Sequence, residues 1–201
     1  MLRPRPSPDS PPMFASRFVD SFSRTHHLIV AYLFVPIVLV LLALGVLRSG
    51  VGILGAAGLF VAGVIAWTLV EYWLHRTLFH WEPKTSWGPR LHFLLHGVHH
   101  SWPNDRYRLV LPPTVSLPLA AAFGLLFYWA LGQRVWFFHA GFLFGYMVYD
   151  LTHYYIHHGK IRARWMRKIQ GHHMSHHFNK RYKDRRFGVS SPIWDWVFRT
   201  N

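Results

Sequence analysis

The sequence predicts an all-α integral membrane protein, with four transmembrane helices and a cytosolic, histidine-rich helical cap. Three observations predict it. Of the 201 residues 51% are hydrophobic, and they gather in long runs separated by basic, histidine-rich segments. Lys and Arg crowd the segments at one end of those runs. Ten of the sixteen histidines fall into four tight clusters, all in the segments at that same end.

Residues 1–25 are rich in Pro, Ser and Arg and carry no long apolar run. They are expected to form a disordered or interfacial cytosolic tail with a short amphipathic end near 14–22, and 26–201 to form the one membrane domain. No cleaved signal peptide is expected, because the first apolar run starts late and has no small-residue cleavage site after it. The first span is read at 27–47, with Pro36 as a kink point. Arg48-Ser49-Gly50 allows only a tight turn before the second span at 51–70. Gly52, Gly55, Ala56, Gly58, Ala62 and Gly63 suit that span to close helix contact. It runs without a break into EYWLHRTLFH, which carries His75 and His80 past the membrane.

Residues 81–113 hold a central histidine helix, WGPRLHFLLHGVHHSW, closed off by Pro103, Pro112 and Pro113. Spans three and four follow at 114–131 and 135–156, joined by Gly132-Gln133-Arg134, and the fourth ends in YDLTHYYIHHG. Residues 161–178 read as a basic amphipathic helix at the interface, and FGVSSPIWDWVF as a closing apolar tail. Trp67, Trp73, Trp81, Trp87 and Trp102 read as interfacial belt residues.

The tail before span one has four Lys/Arg, the loop after span two five and the C-terminal segment eleven, against one in each short turn. The positive-inside rule therefore places both termini, the middle loop and all four histidine clusters in the cytosol. The net charge of +14 is assigned to anionic headgroups and topology, since no nucleic-acid recognition motif accompanies it. With no cysteine, thiolate metal sites, Fe–S clusters and disulfides are excluded. No H-E-x-x-H, Gly-rich phosphate loop or Ser-His-Asp order is present, which argues against protease, kinase and hydrolase readings.

The clusters are His75 with His80; His96, His99 and His100; His153 with His157; and His173, His176 and His177. The second and fourth share the spacing H-x-x-H-H. Neutral imidazole is a ligand for Fe, Zn, Cu or Ni. On an α-helix the last two residues of H-x-x-H-H splay by about 100° and serve one ion each. His153 and His157, four apart, share a face and an ion, whereas His75 and His80, five apart, point about 140° apart and serve different ions. The expected division is five and five. His75, His96, His99, His173 and His176 hold one ion; His80, His100, His153, His157 and His177 hold the other. His26 and His27 read as interfacial, His139 as structural, and His92, His158 and His172 as flanking residues. Asp150, one turn before His153, is placed to orient a ligand imidazole. Asp195 either does the same or caps the closing tail, Glu71 lies one turn before His75, and an interfacial hydrogen bond or ion pair is the other reading of each carboxylate. A metal transporter or store, the rival from another class, would set its ligands near the bilayer midplane, where only His139 lies.

Over 71–198 the chain resembles the fatty acid hydroxylase superfamily of membrane di-iron oxygenases. The motifs EYWLHRTLFH, LHFLLHGVHH, DLTHYYIHHG, HHMSHH and FGVSSPIWDWVF carry the resemblance. Sterol desaturases and carotenoid hydroxylases share the histidine pattern, so carotenoid or sterol hydroxylation or desaturation is the alternative chemistry. HFLLHGVHH and FGVSSPIWD lean toward the fatty acid and sphingolipid 2-hydroxylases. The resemblance implies O2-dependent hydroxylation of a lipid acyl chain, at C2 of a fatty acid or of the N-acyl chain of a ceramide-like lipid. It implies two Fe ions on the ten histidines and two electrons per turnover; by the Irving–Williams order, histidine-only sites also take Zn, which purified protein can carry. Residues 1–25 are too short for the cytochrome b5 domain that some members carry. The expected donor is therefore a separate electron-transfer protein, cytochrome b5- or ferredoxin-like, with its reductase. One departure is His172, where members commonly have an aromatic residue.

Overall fold

A computed structural model of the chain describes residues 9–201. Among the described residues it is helical throughout, with no strand. A short α1 (Arg17–Ser21) precedes two long helices, α2 (Leu28–Arg48) and α3 (Ile53–Trp73), and α3 continues as a π-helix over Leu74–Phe79. The next segment is α4 (Gly88–His92), a π-helical stretch Phe93–Gly97 and α5 (Val98–Ser101). Then come α6 (Pro113–Leu131), α7 (Val135–His158), α8 (Arg164–Phe178) and α9 (Ile193–Val197).

By length and composition, three stretches can cross a membrane: Leu28–Arg48, Ile53–Phe79 and Pro113–His158. The third, 46 residues long, turns back on itself at Gly132. That residue takes φ +56°, a left-handed backbone that glycine reaches without a Cβ clash. The reversal brings the Phe127 ring of α6 to 4.9 Å from Phe138 and 5.0 Å from Phe142 of α7.

Helix α7 is the hub, buried along most of its length and packed between α2 and α3. Small residues let the backbones touch. A Cβ on Gly63 of α3 would lie 2.0 Å from the Phe138 carbonyl oxygen, and one on Gly141 of α7 the same distance from that of Phe60. Of the small residues expected to make such contacts, Gly52 and Gly58 face open space. The outward faces remain apolar: Leu47, Ile53, Leu54 and Trp129 are all exposed, as lipid-facing side chains are. Trp67 and Trp102, expected in an interfacial belt, are instead buried. Trp67 lies 5.1 Å from the Tyr146 ring, inside the α3–α7 contact.

Over 9–25 the structure differs from the tail expected, while 1–8 lie outside the described residues. Ser10, Met13, Asp20 and Thr25 are buried. Arg108 reaches Asp20 with a two-oxygen grip at 2.7 and 2.9 Å, and Asp105 accepts from the Ser10 backbone N–H at 2.9 Å. Met13 packs on Val98 and Trp102. The pairing partners lie 88 residues from Asp20 and 95 from Ser10, which is why local composition reads this segment as unanchored.

Candidate metal centre

The four histidine clusters meet at one end of the bundle. Their ring nitrogens form two groups in which the ligand-capable atoms all lie within 4.8 Å of one another. One group is His75, His80, His96, His100 and His176; the other is His99, His153, His157, His173 and His177. The groups adjoin, with the rings of His100 and His177 stacked at 4.3 Å. His26, His27, His92, His139, His158 and His172 belong to neither.

This division corrects the one read from the sequence: His80 and His100 exchange places with His99 and His173. The reason is local helix geometry. Leu74–Phe79 is π-helical, and a π-helix links residue i to i+5, so His75 and His80 come to one side instead of pointing apart. Each H-x-x-H-H then gives its first and last histidine, four apart, to one group and its middle one to the other. His96 and His100 join the first group while His99 crosses to the second; His173 and His177 join the second while His176 crosses to the first.

Nε2 atoms converge in both groups. His75 lies 3.0 Å from His96 and 3.2 Å from His80, and His80 lies 3.0 Å from His176. In the second group His173 is 3.0 Å from each of His153, His157 and His177, and His153 is 3.1 Å from His99. One imidazole nitrogen carries at most one proton, so His173 cannot bond to three neighbours of the same kind. Nitrogen–metal bonds of about 2.1 Å meeting at right angles put neighbouring nitrogens about 3.0 Å apart. The spacing is that of ligands around a common ion, and the residues fit a metal.

Protonation states agree. Burial, and after it the neighbouring imidazoles, hold His96, His99, His100, His173 and His177 well below the usual histidine range. The same causes bring His80 to about 2. These rings are neutral and offer lone pairs, the form a metal needs. His75 donates Nδ1–H to the Phe187 carbonyl at 2.6 Å, and His176 donates to that of Arg185 at 2.6 Å. Each bond fixes a tautomer that points an Nε2 lone pair inward.

Of the carboxylates, Asp150 departs from the orienting role expected of it, while Glu71 and Asp195 take the hydrogen-bonding alternative. Asp150 does not orient His153: its Oδ2 accepts from Tyr146 O–H at 2.8 Å and from Leu111 N–H at 3.2 Å, and these are its partners among the described residues. Glu71 accepts from the Val189 and Ser190 backbone N–H groups at 2.7 and 2.8 Å. Asp195, wholly buried, accepts from the N–H groups of Phe187 and Gly188, both at 2.8 Å. Both therefore pin the C-terminal loop whose carbonyls orient His75 and His176. Sequence reasoning missed those carbonyls, because a main-chain acceptor has no residue-type signature.

A cavity of about 280 Å³ runs from between the long helices to the histidines. Leu119, Phe123 and Phe142 line it in the bundle, and His96, His99 and His153 line it at the centre, so it meets both groups.

Fold and site together define a helical protein with membrane-length helices and two adjoining histidine groups that could hold metal. The chain belongs to the fatty acid hydroxylase family, whose model matches residues 60–200. That makes it an oxidoreductase of the monooxygenase type, in a family that uses iron. It is 38% identical over 197 residues to a dihydroceramide fatty acyl 2-hydroxylase of Arabidopsis thaliana, covering 96% of this chain and 80% of the relative. It is 42% identical over 196 residues to the ceramide very long chain fatty acid hydroxylase of Saccharomyces cerevisiae, covering 95% of this chain but 49% of that protein. A fatty acid 2-hydroxylase of Rattus norvegicus is 42% identical over 147 residues, covering 71% of this chain and 39% of the relative. Among solved structures, that of full-length scs7p, in which only the hydroxylase domain is visible, matches with a TM-score of 0.83 at 40% identity. The match covers 92% of this chain and 69% of that one.

Proposed function

We propose that this chain hydroxylates C2 of a lipid acyl chain, as a free fatty acid or as the N-acyl chain of a ceramide-like lipid. The observation that carries the reading is the apolar cavity that opens from between the long helices onto both histidine groups. One ion is assigned to His75, His80, His96, His100 and His176, and the second to His99, His153, His157, His173 and His177. Iron held there would supply the O2 activation that an unactivated C–H bond requires. The chain's own residues do the rest. Leu119, Phe123 and Phe142 hold the acyl chain and keep water out, and His96, His99 and His153 bring the centre to the cavity wall. Residues 26–201 form the hydroxylase domain, and the two electrons come from a separate donor protein, cytochrome b5- or ferredoxin-like. The test is mass spectrometry of lipids from cells with and without the protein. New 2-hydroxy acyl species support the reading; hydroxylated or desaturated carotenoids or sterols with no 2-hydroxy acyl lipid would overturn it.

We also propose four spans with both termini and the metal centre on the cytosolic side. The Lys/Arg asymmetry supports this, as does the doubling back of α6 and α7 at Gly132. The chain has no cysteine to interfere. Single cysteines at Ser49 and Gln133, in the two short turns, should react with an impermeant maleimide from outside the cell, and one at the exposed Lys180 should not. Labelling of position 180 from outside would reverse the topology.

A further inference from the structure

The two histidine groups are not supported alike. In the first, the Nδ1–H groups of His75 and His176 are taken by the carbonyls of Phe187 and Arg185. In the second, Nδ1 of His153, His173 and His177 is buried with no partner among the described residues, against one such ring nitrogen, Nε2 of His100, in the first. Outer hydrogen bonds to a ligand imidazole fix its tautomer and raise its basicity, and their loss commonly lowers metal affinity about 10- to 100-fold. A ligand whose outer N–H is buried without an acceptor carries a penalty that its pairing would remove.

The supporting loop is itself built for rigidity. Asp195 accepts from Phe187 and Gly188 N–H, from Thr200 Oγ1 at 2.7 Å and from His172 Nε2 at 3.0 Å. Burial raises the Asp195 pKa, but the bonds from His172, Thr200 and the backbone outweigh it and hold the carboxyl below the usual range. Gly188 has no room for a Cβ, which would lie 2.1 Å from the Ser191 carbonyl oxygen. His172, the residue that departs from the family pattern, thus supplies one of the four donors.

We propose that the two ions are held unequally. The group of His75, His80, His96, His100 and His176 retains its ion, the group of His99, His153, His157, His173 and His177 exchanges its ion readily, and Asp195 is the positioning residue that creates the difference through the Arg185–Gly188 loop. The inference rests on the two-ion reading above and adds an order of loading and loss.

The test uses the full chain in detergent, loaded with Zn²⁺ and titrated with a chelator, with bound metal counted per chain. Two release steps at least about 10-fold apart in chelator are expected, with a plateau at one ion. The ion left in His157→Ala should resist chelator, and the ion left in His80→Ala should be lost early. Asp195→Asn should bring the late step about 10- to 100-fold earlier and leave the early step in place. Should that variant not fold, His172→Gln, which leaves the other three donors to Asp195, should shift the late step in the same direction by less. Both ions leaving in one step, the order reversed, or variants that move both steps equally would overturn the inference. A protein that never holds two ions at saturating Zn²⁺ would overturn the two-ion reading itself.

Discussion

His157→Ala is expected to leave close to one metal ion per chain and to lower product formation by more than about 100-fold. The magnitude follows from comparison: removing a residue that only orients a ligand costs about 10- to 100-fold, and removing the ligand costs more. His157 lies 3.0 Å from His173 through Nε2 and contributes to one group only, so the other five histidines keep their set. The side chain is half-buried and sits on the last turn of α7, where alanine keeps the helix. Loss of activity would therefore reflect the ion and not unfolding. His158→Ala is the matched control. His158 belongs to neither group and packs 4.7 Å from the Tyr154 ring, so this variant should hold both ions and keep activity within about 3-fold. Metal counted per chain beside 2-hydroxy lipid formation checks both variants. Full activity with one ion would show that a single ion suffices, and loss of both ions would show that the groups are not separate sites.

How far the site could be read from sequence depended on the range of the signal. The ten histidines were legible because their spacing is local and their residue type is distinctive. Which five belong together is not legible, because the π-helix over Leu74–Phe79 brings His80 beside His75, and the i,i+4 pairs His96/His100 and His173/His177 join where i,i+3 pairs were equally open. The long apolar helices were legible to within a few residues, since hydropathy needs no partner. Distant pairings were not. Asp20 reads as a charge in a polar tail until Arg108 arrives from 88 residues away. Glu71 reads as an interfacial acid until Val189 and Ser190 bring their N–H groups to it from 118 and 119 residues away. Asp150 shows the converse error. Its sequence distance from His153 suits a helical contact, but Tyr146 and Leu111 take its carboxylate first.

Metal identity is expected to separate folding from turnover. Without an ion, neutral imidazoles in each group face one another with neighbouring Nε2 atoms about 3 Å apart and too few protons to bond them. An ion converts that crowding into bonds and ties together the ends of α3 and α7, the central histidine segment and α8. Binding of any suitable ion to the folded state alone raises stability by RT ln(1 + [L]/Kd), about 4 kcal/mol at a thousandfold excess over Kd. Histidine-only sites favour Zn over Fe(II) by the Irving–Williams order, so protein made in excess in Zn-rich medium should carry Zn and melt cooperatively at a raised temperature. Zn has no accessible redox state, so that protein should be inert. Stripped protein should melt lower, reloading with either Zn or Fe(II) should restore the melting temperature, and only Fe(II) with O2 and a reductant should restore 2-hydroxy lipid formation. Unfolding followed by intrinsic fluorescence checks the first half, and product mass spectrometry checks the second. Hydroxylation by the Zn form, verified free of iron, would show that the chemistry at these histidines does not depend on a redox metal.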